Sequence, residues 1–261
     1  MTKIKFGPAG LGPVKTAIET LKRYHKIGLH ACEIAFTYSV YIKEEDAKII
    51  GKKARELGIQ LSIHAPYFIN LNSSEKEKQE SSKKRILKCL EIGTFLDAKY
   101  VVFHPGFYGK DTKEKTYETI KNNILEIQKL RKKKKYTPRL APETMGKVNV
   151  FGSIEEISQL VRDTECSACI DFAHILARSQ GKYRFEETLN LFNTLDELHI
   201  HFSGIVYGEK GEKMHKKTPL GEWEKLINAL PKNKTISIIN ESPDMVEDSI
   251  SGKKIYESEK M

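Results

Sequence analysis

Short runs rich in β-branched residues alternate with longer amphipathic stretches of helical period through this chain, and that rhythm admits few folds. The pattern predicts strands at Lys3–Phe6, Ala31–Phe36, Gln60–His64, Tyr100–His104, Arg139–Glu143, Ala168–Asp171, Leu198–Phe202 and Thr235–Glu241. It predicts helices over Val14–Lys26, Lys43–Leu57, Ser74–Leu96, Lys113–Lys134, Ile154–Arg162, Phe185–Leu195 and Gly221–Leu230. Within the third of these, Ile86, Leu87, Leu90, Ile92 and Leu96 recur near the helical spacing, with Lys and Glu on the other face. Gly28 and Gly58 follow helices as stop signals. Eight strand–helix alternations without a long linker predict one α/β domain over residues 1–261, a single (β/α)8 TIM barrel. A doubly wound open sheet is the runner-up, and it would more often carry a glycine-rich phosphate loop after an early strand. The prolines of Gly7–Pro13 make that segment a poor dinucleotide cradle.

A chain of 261 residues, 39% of them hydrophobic, is long enough to bury a core, which excludes a disordered chain or a disulfide-stapled minidomain. Its apolar stretches fall far short of the ~20 residues of a membrane span, and MTKIKFGPAG holds no signal-peptide core. A soluble cytoplasmic monomer with no membrane partner is therefore expected. The excess of 44 Lys and Arg over 35 Asp and Glu favours polyanionic partners. Charge is mostly Lys and Glu, which leans towards a heat-adapted source. Cys32, Cys89, Cys166 and Cys169 lie on apolar segments, and Cys166-x-x-Cys169 lacks a second pair, so buried thiols in a reducing compartment are expected. The basic run Arg131–Lys135 ends a helix just before the fifth strand, on the barrel face away from chemistry, where cations complement the helix dipole.

In a barrel, functional groups collect where strands end and βα loops begin. The third to eighth strands each finish on His, Asp or Glu, in the runs SIHAP, VFHPG, APET, CIDFAH, LHIHF and INES. Six of the eight histidines fall on or just after these ends, His25 and His30 being the exceptions. A lone histidine after a strand is commonly a hydrogen-bonded structural residue, and a lone glutamate is often half of an ion pair. Six consecutive strands agreeing is different, because such groups at the mouth of an apolar barrel cost desolvation unless paired or bound to metal. Histidine with carboxylate suits zinc and similar divalent ions. Asp171-x-x-His174 places two ligand types just past one strand, while His199 and His201 point to the same side of another, so either could be the ligand. His215 lies in the loop Gly204–Thr218 among Glu209, Glu212 and several lysines, where a histidine is usually only solvated.

From Ile63 to Pro243 the stretches HAPYFINL, FHPG, PETMG, CIDFAH, HIHFSG and NESPD make the chain resemble the endonuclease IV family, zinc-dependent apurinic/apyrimidinic endonucleases with a xylose-isomerase-like barrel. The resemblance implies that His64, His104 and Glu143 hold one Zn2+ and that Glu143, as a bridge, Asp171, His201 and Glu241 hold a second. His174 and His215 would belong to a third, and Tyr67 matches a position close to the DNA. The chain also departs from the family. Lys213 stands where the family has an Asp two residues before the loop histidine, with Glu212 beside it and Glu209 further back. Either Glu212 replaces that carboxylate or the third site is weak or empty. The first strand reads Phe6-Gly7-Pro8-Ala9 in place of a His-x-Ser start, and Phe36–Tyr41 lacks the Asn and Arg of bacterial members.

The resemblance implies hydrolysis of the phosphodiester 5′ to an abasic site in duplex DNA during base excision repair, leaving 3′-hydroxyl and 5′-sugar-phosphate ends. A two-ion site sharing Glu143, as catalytic residue, suits that in-line displacement. Lysines would add salt-sensitive phosphate affinity, and Tyr67, Tyr38 or Tyr41 would help extrude the abasic nucleotide. The alternative is a sugar isomerase or epimerase holding one divalent ion through Glu143, Asp171, His201 and Glu241. A damage binder without turnover is a third reading. The pair His64 and His104 and the net charge of +9 favour the nuclease.

Overall fold

The computed structural model describes residues 3–259. Eight strands carry the predicted rhythm: β1 (Lys3–Pro8), β2 (Ala31–Ala35), β3 (Gln60–His64), β4 (Tyr100–Phe103), β5 (Arg139–Pro142), β6 (Cys169–Asp171), β7 (Glu197–His201) and β8 (Thr235–Asn240). They pair in parallel as two four-stranded sheets, β1–β8–β7–β6 and β2–β3–β4–β5. Two seams close the sheets into a barrel. At one, the His30 N–H donates to the Phe6 carbonyl (3.0 Å) and β1 presses on β2 so tightly that a Cβ on Gly7 would lie 1.7 Å from the Ala31 carbonyl oxygen. At the other, Glu143 bridges to Cys169 and the Thr144 N–H donates to the Cys169 carbonyl (3.1 Å). The eight parallel strands thus form the α/β barrel expected of the sequence.

Helices α1 (Ala17–Lys26), α2 (Glu44–Glu56), α3 (Lys76–Leu96), α4 (Lys113–Lys133) and α5 (Ile154–Thr164) wrap the outside. Each turns Leu, Ile or Ala side chains inward, for example Ile86, Leu90 and Leu96 of α3, which are fully buried. α6 (Phe172–Arg178), α7 (Phe185–Asn190), α8 (Leu220–Ala229) and α9 (Met245–Ser258) complete the ring. Trp223 of α8 is the largest fully buried side chain and packs edge-on against Phe6 (6.0 Å) and Phe202 (4.7 Å).

Several elements differ from expectation for physical reasons. The helix predicted over Phe185–Leu195 stops at Asn190 and continues as turns. α6 had no amphipathic signature because both its faces are covered; Phe172, Ala173, His174, Ile175 and Ala177 are all buried. α9 reads as polar because the residues it buries are Asp248, Ser249 and Gly252. The predicted loop Gly204–Thr218 is an antiparallel hairpin of Gly204–Gly208 with Gly211–Lys216. All four cysteines are free and buried. No helix among the described residues is long and apolar enough to cross a membrane.

Candidate metal centre

Strand register brings the polar strand ends to one level. His64 on β3 lies beside Val102 on β4, Phe103 beside Pro142, and Asp171 on β6 beside His201 on β7. His104, Glu143 and Glu241 are the residues that follow β4, β5 and β8, so all six side chains meet at the C-terminal mouth of the barrel. The Glu143 carboxylate is the hub. One oxygen faces His104 Nε2 (2.9 Å) and His64 Nε2 (3.2 Å), and the other faces His201 Nδ1 (3.0 Å). Glu241 Oε1 lies 3.4 Å and Asp171 Oδ2 3.9 Å from that same Nδ1. The structure thus gathers two adjoining sets of donors, His64–His104–Glu143 and Glu143–Asp171–His201–Glu241, each with its donor atoms within 4.8 Å of one another. Cys169, His199 and His201 also lie within that span, but burial pushes the Cys169 thiol well up, and its side chain packs with Tyr100, Val102 and Ala141 as a core residue.

The alternatives left by β7 separate cleanly in space. His201 faces the cluster, while His199 lies one layer deeper, with Nδ1 2.8 Å from Ser237 Oγ and its ring 4.8 Å from that of Tyr100.

The charges have been brought together at a cost that only mutual contact offsets. Burial would raise Glu143, yet His201, His104 and His64 hold its carboxyl well below the usual range. Burial would likewise raise Glu241, but His201 draws it down to about 2. Asp171 goes the other way: burial, with Glu143 and Glu241 close by, lifts it to about 6 against the pull of His174. Burial alone would lower His64 and His174, but carboxylates raise both to about 9, through Glu143 for the first and Asp171 for the second.

The sign of the metal-free pH response follows. Protonated His64 and His174 stabilise the folded state fully below the unfolded value of 6.5 and lose that contribution as pH rises towards about 9. Chelator-treated protein is therefore expected to melt at lower temperature at pH 9 than at pH 6.5. Bound divalent ions, which need the unprotonated rings, should reverse that trend. Melting curves at the two pH values, with and without chelator, check this; a metal-free melting point that rises with pH contradicts it.

A third group lies beside the first two. The His174 ring donates through Nδ1–H to the Thr144 carbonyl (3.0 Å), and its Nε2 faces Glu212 Oε2 at 3.1 Å. His215 stacks near it with ring centroids 5.5 Å apart, its Nδ1 2.6 Å from Ser203 Oγ and its Nε2 4.0 Å from Glu241. Glu212 and His215 are three apart, which in a regular strand would put them on opposite faces. A bulge removes the conflict: Val206 pairs with Met214 and Tyr207 with Glu212, leaving Lys213 as the extra residue. Lys213 and Met214 both face solvent, and Glu212 turns inward with His215. Glu212 has room only because residue 146 is glycine, where a Cβ would lie 2.0 Å from its Oε2.

Other motif residues build the loops. Asn70 Oδ1 accepts from the N–H groups of Asn72 (3.0 Å) and Phe107 (3.3 Å), and Gly106 sits so close that a Cβ there would meet it at 2.6 Å. Asp171 Oδ1 caps α6 by accepting from the His174 N–H (2.7 Å). The Arg178 guanidinium ties down the loop after Glu143 by donating to the carbonyls of Lys147 (2.6 Å) and Val150 (3.0 Å). Tyr67 leans over the mouth with its ring 6.0 Å from His64 and 5.8 Å from His104. Phe68 and Tyr38 stand beside it, 59% and 75% exposed and 6.3 Å apart. Tyr41 packs edge-on against Phe36 (5.2 Å).

Sequence reasoning missed Glu33. It sits in the middle of β2, wholly buried, against His199, His201 and Ser62. The available signal was a carboxylate inside the otherwise apolar run Ala31–Phe36.

The family model described as xylose isomerase-like TIM barrel matches residues 21–258. The chain is 37% identical to the uncharacterized protein MJ0133 of Methanocaldococcus jannaschii, over 96% of each chain. It is 32% identical to a probable endonuclease 4 of Thermoplasma volcanium over 53% of this chain, a match spanning 49% of that relative's length. Among solved structures, SacUVDE superposes with a TM-score of 0.78 at 14% identity, covering 100% of this chain and 99% of that one. Endonuclease IV of Thermus thermophilus gives 0.69 at 19% (98% of each chain), and a D-tagatose 3-epimerase-like protein gives 0.71 at 19% (97% and 96%). At such identities the structures show a shared barrel only. With a family match running through all but the edges of the chain, the protein belongs to the xylose isomerase-like TIM barrel family, an enzyme superfamily that includes endonuclease 4 relatives.

Proposed function

We propose that the protein is a divalent-metal-dependent endonuclease that cleaves the phosphodiester 5′ to abasic sites in duplex DNA. The observation that carries this reading is the pair of adjoining donor sets that share Glu143. Fit to metal is supported by the donors themselves: Asp171 Oδ2, His201 Nδ1 and Glu212 Oε2 are buried polar atoms aimed into the centre without a hydrogen-bond partner. In this reading His64, His104 and Glu143 hold one ion, Glu143, Asp171, His201 and Glu241 a second, and His174, His215 and Glu212 a third. Zinc suits this mixture of imidazole and carboxylate. Bound ions of this kind supply a water nucleophile at neutral pH and neutralise charge on a phosphodiester.

The chain's own residues supply the rest. Glu143, bridging both sets, fixes their spacing. Tyr67 overhangs His64 and His104 and walls the reacting phosphate from bulk water on that side. Tyr38 and Phe68 offer exposed rings beside the mouth on which bases flanking an extruded nucleotide can stack. The excess of Lys and Arg provides phosphate affinity that weakens with salt.

Nicking of an abasic duplex, measured before chelation, after chelation and after zinc is restored, tests the proposal; a zinc-restored protein that leaves the duplex intact rejects it. The combined variant Tyr38→Ala, Phe68→Ala is expected to bind that duplex about thirtyfold more weakly or worse, base–aromatic stacking contributing about 1–3 kcal/mol per base. Binding of an intact duplex should change less. Gly146→Ala is expected to displace Glu212 and lower the bound zinc by one ion while the other two remain, as read by elemental analysis after desalting.

One observation favours a second reading. Glu143, Asp171, His201 and Glu241 alone form a complete set for a single ion, and epimerase-like structures share the barrel. Turnover of ketoses with one ion per chain, and no DNA nicking, would establish that activity instead.

A further inference from the structure

Glu33 belongs to none of the three donor sets, yet it is as fully enclosed as Glu143. It projects from β2 into the interior, fully buried, and its two oxygens are divided between three partners. Oε2 accepts from Ser62 Oγ (2.7 Å) and from His199 Nε2 (3.0 Å), and Oε1 faces His201 Nε2 at 3.0 Å. The last contact has the length of a hydrogen bond but not its alignment.

An ionised carboxylate only accepts hydrogen bonds, so each nitrogen facing it must carry the proton. Ser62 Oγ donates to Glu33, His199 Nε2 lies within hydrogen-bond distance of it, and His201 Nε2 is its third neighbour, so the carboxylate is placed as the common acceptor. His199 then has Nε2–H towards Glu33 and a bare Nδ1 that accepts from Ser237 Oγ at 2.8 Å. His201 has Nε2 committed to Glu33 on one side of the ring. Its other nitrogen, Nδ1, is the one that faces Glu143 (3.0 Å), Glu241 (3.4 Å) and Asp171 (3.9 Å).

We propose that Glu33 is a positioning residue that keeps the proton of His201 on Nε2, so that Nδ1 is the nitrogen offered to the divalent ion of the Glu143–Asp171–His201–Glu241 set. This rests on the metal-centre reading above. A carboxylate behind a ligating histidine fixes its tautomer and ring orientation, and loss of such a partner typically weakens metal binding about 10–100-fold. Glu33→Gln keeps the shape but offers one acceptor oxygen and an NH2 group in place of two acceptors. Three donors then converge on it, and the ring that meets the NH2 must invert its tautomer or swing away. Ser62→Ala removes a donor and leaves both histidine contacts, so it separates crowding in the barrel from tautomer control.

The test is zinc titration by calorimetry of wild type, E33Q and S62A, with 15N spectra of the histidine rings in the zinc-loaded proteins. In wild type, His201 is expected to carry its proton on Nε2 and bind zinc through Nδ1. E33Q is expected to bind one zinc about 10–100-fold more weakly while the ion at His64 and His104 keeps its affinity. S62A is expected to retain wild-type affinity for both. E33Q with undiminished affinity for every ion overturns the role of Glu33 and leaves the metal centre standing. A wild-type His201 protonated on Nδ1 overturns it equally, without requiring any variant to fold. Wild-type protein that binds no zinc rejects the metal centre itself.

Discussion

Glu143→Gln is expected to abolish cleavage, lowering it by roughly three orders of magnitude or more, and to remove both ions that share this residue. Several kcal/mol of barrier lowering depend on such ions, and each decade of rate corresponds to about 1.36 kcal/mol. The variant should also lower the stability of the metal-free protein. Among the described residues Glu143 is the only carboxylate in contact with His64 and His104 together, and His201 shares its other oxygen. A group held well below its usual pKa is stabilising when ionised, and removing its charge leaves three buried or half-buried rings facing a neutral amide. Breaking a buried pair by neutralising one partner costs about 3–5 kcal/mol, and Gln, which keeps one acceptor oxygen, should fall at the lower end. Zinc counting, an abasic-duplex nicking assay and a melting curve in chelator measure the three effects. Intact zinc stoichiometry in this variant would contradict the shared role of Glu143.

The prominence of Glu143 could be read from its place directly after a strand, as could His64, His104, Asp171, His201 and Glu241. Their visibility has a simple origin: parallel strands of one barrel end at one rim, so residue type at the ends is informative even when no three-dimensional arrangement is known. What escaped the sequence, as Glu33 did, or stayed an open alternative, as Glu212 did, depends on geometry that strand alternation does not encode. Glu33 lies in mid-strand and reaches the cluster from below, through His201, so no strand-end pattern includes it. Glu212 breaks the period of two because Lys213 bulges out of the hairpin, which converts an apparent loss of a carboxylate into a displaced one. Conversely, part of what makes the HAPYFINL and FHPG stretches distinctive is structural: Asn70 and Gly106 lock two loops together, and neither reaches the donor sets. A motif can therefore be specific to a family while only some of its residues bear on chemistry.

Asp171→Asn should give the opposite sign in stability from Glu143→Gln while sharing its effect on activity. Asp171 has the pKa of a group that the fold burdens with charge: burial and the nearby Glu143 and Glu241 lift it to about 6. Its ionised form is thus less favourable in the folded than in the unfolded metal-free chain. The stabilisation from its neutral form is complete below the unfolded value of 3.8 and is lost as pH rises towards about 6. A permanently neutral side chain removes that penalty at pH 7 and above. Asn also retains the cap on α6, since the Asp171 oxygen that accepts from the His174 N–H has an amide counterpart and Asn ranks with Asp at that position. The other oxygen, Oδ2, is the one aimed at His201 and His174 without a hydrogen-bond partner, and an NH2 group there cannot donate a lone pair to an ion. Metal-free Asp171→Asn is therefore expected to melt at or above the wild-type temperature at pH 7.5, yet to bind one zinc ion fewer and to nick abasic DNA about 10²–10³-fold more slowly, the loss of several kcal/mol of charge stabilisation. A variant that melts lower in chelator would show that Asp171 serves the fold, whereas the predicted pair of results means that its charge is kept at the expense of the empty protein's stability for the sake of the ion it faces.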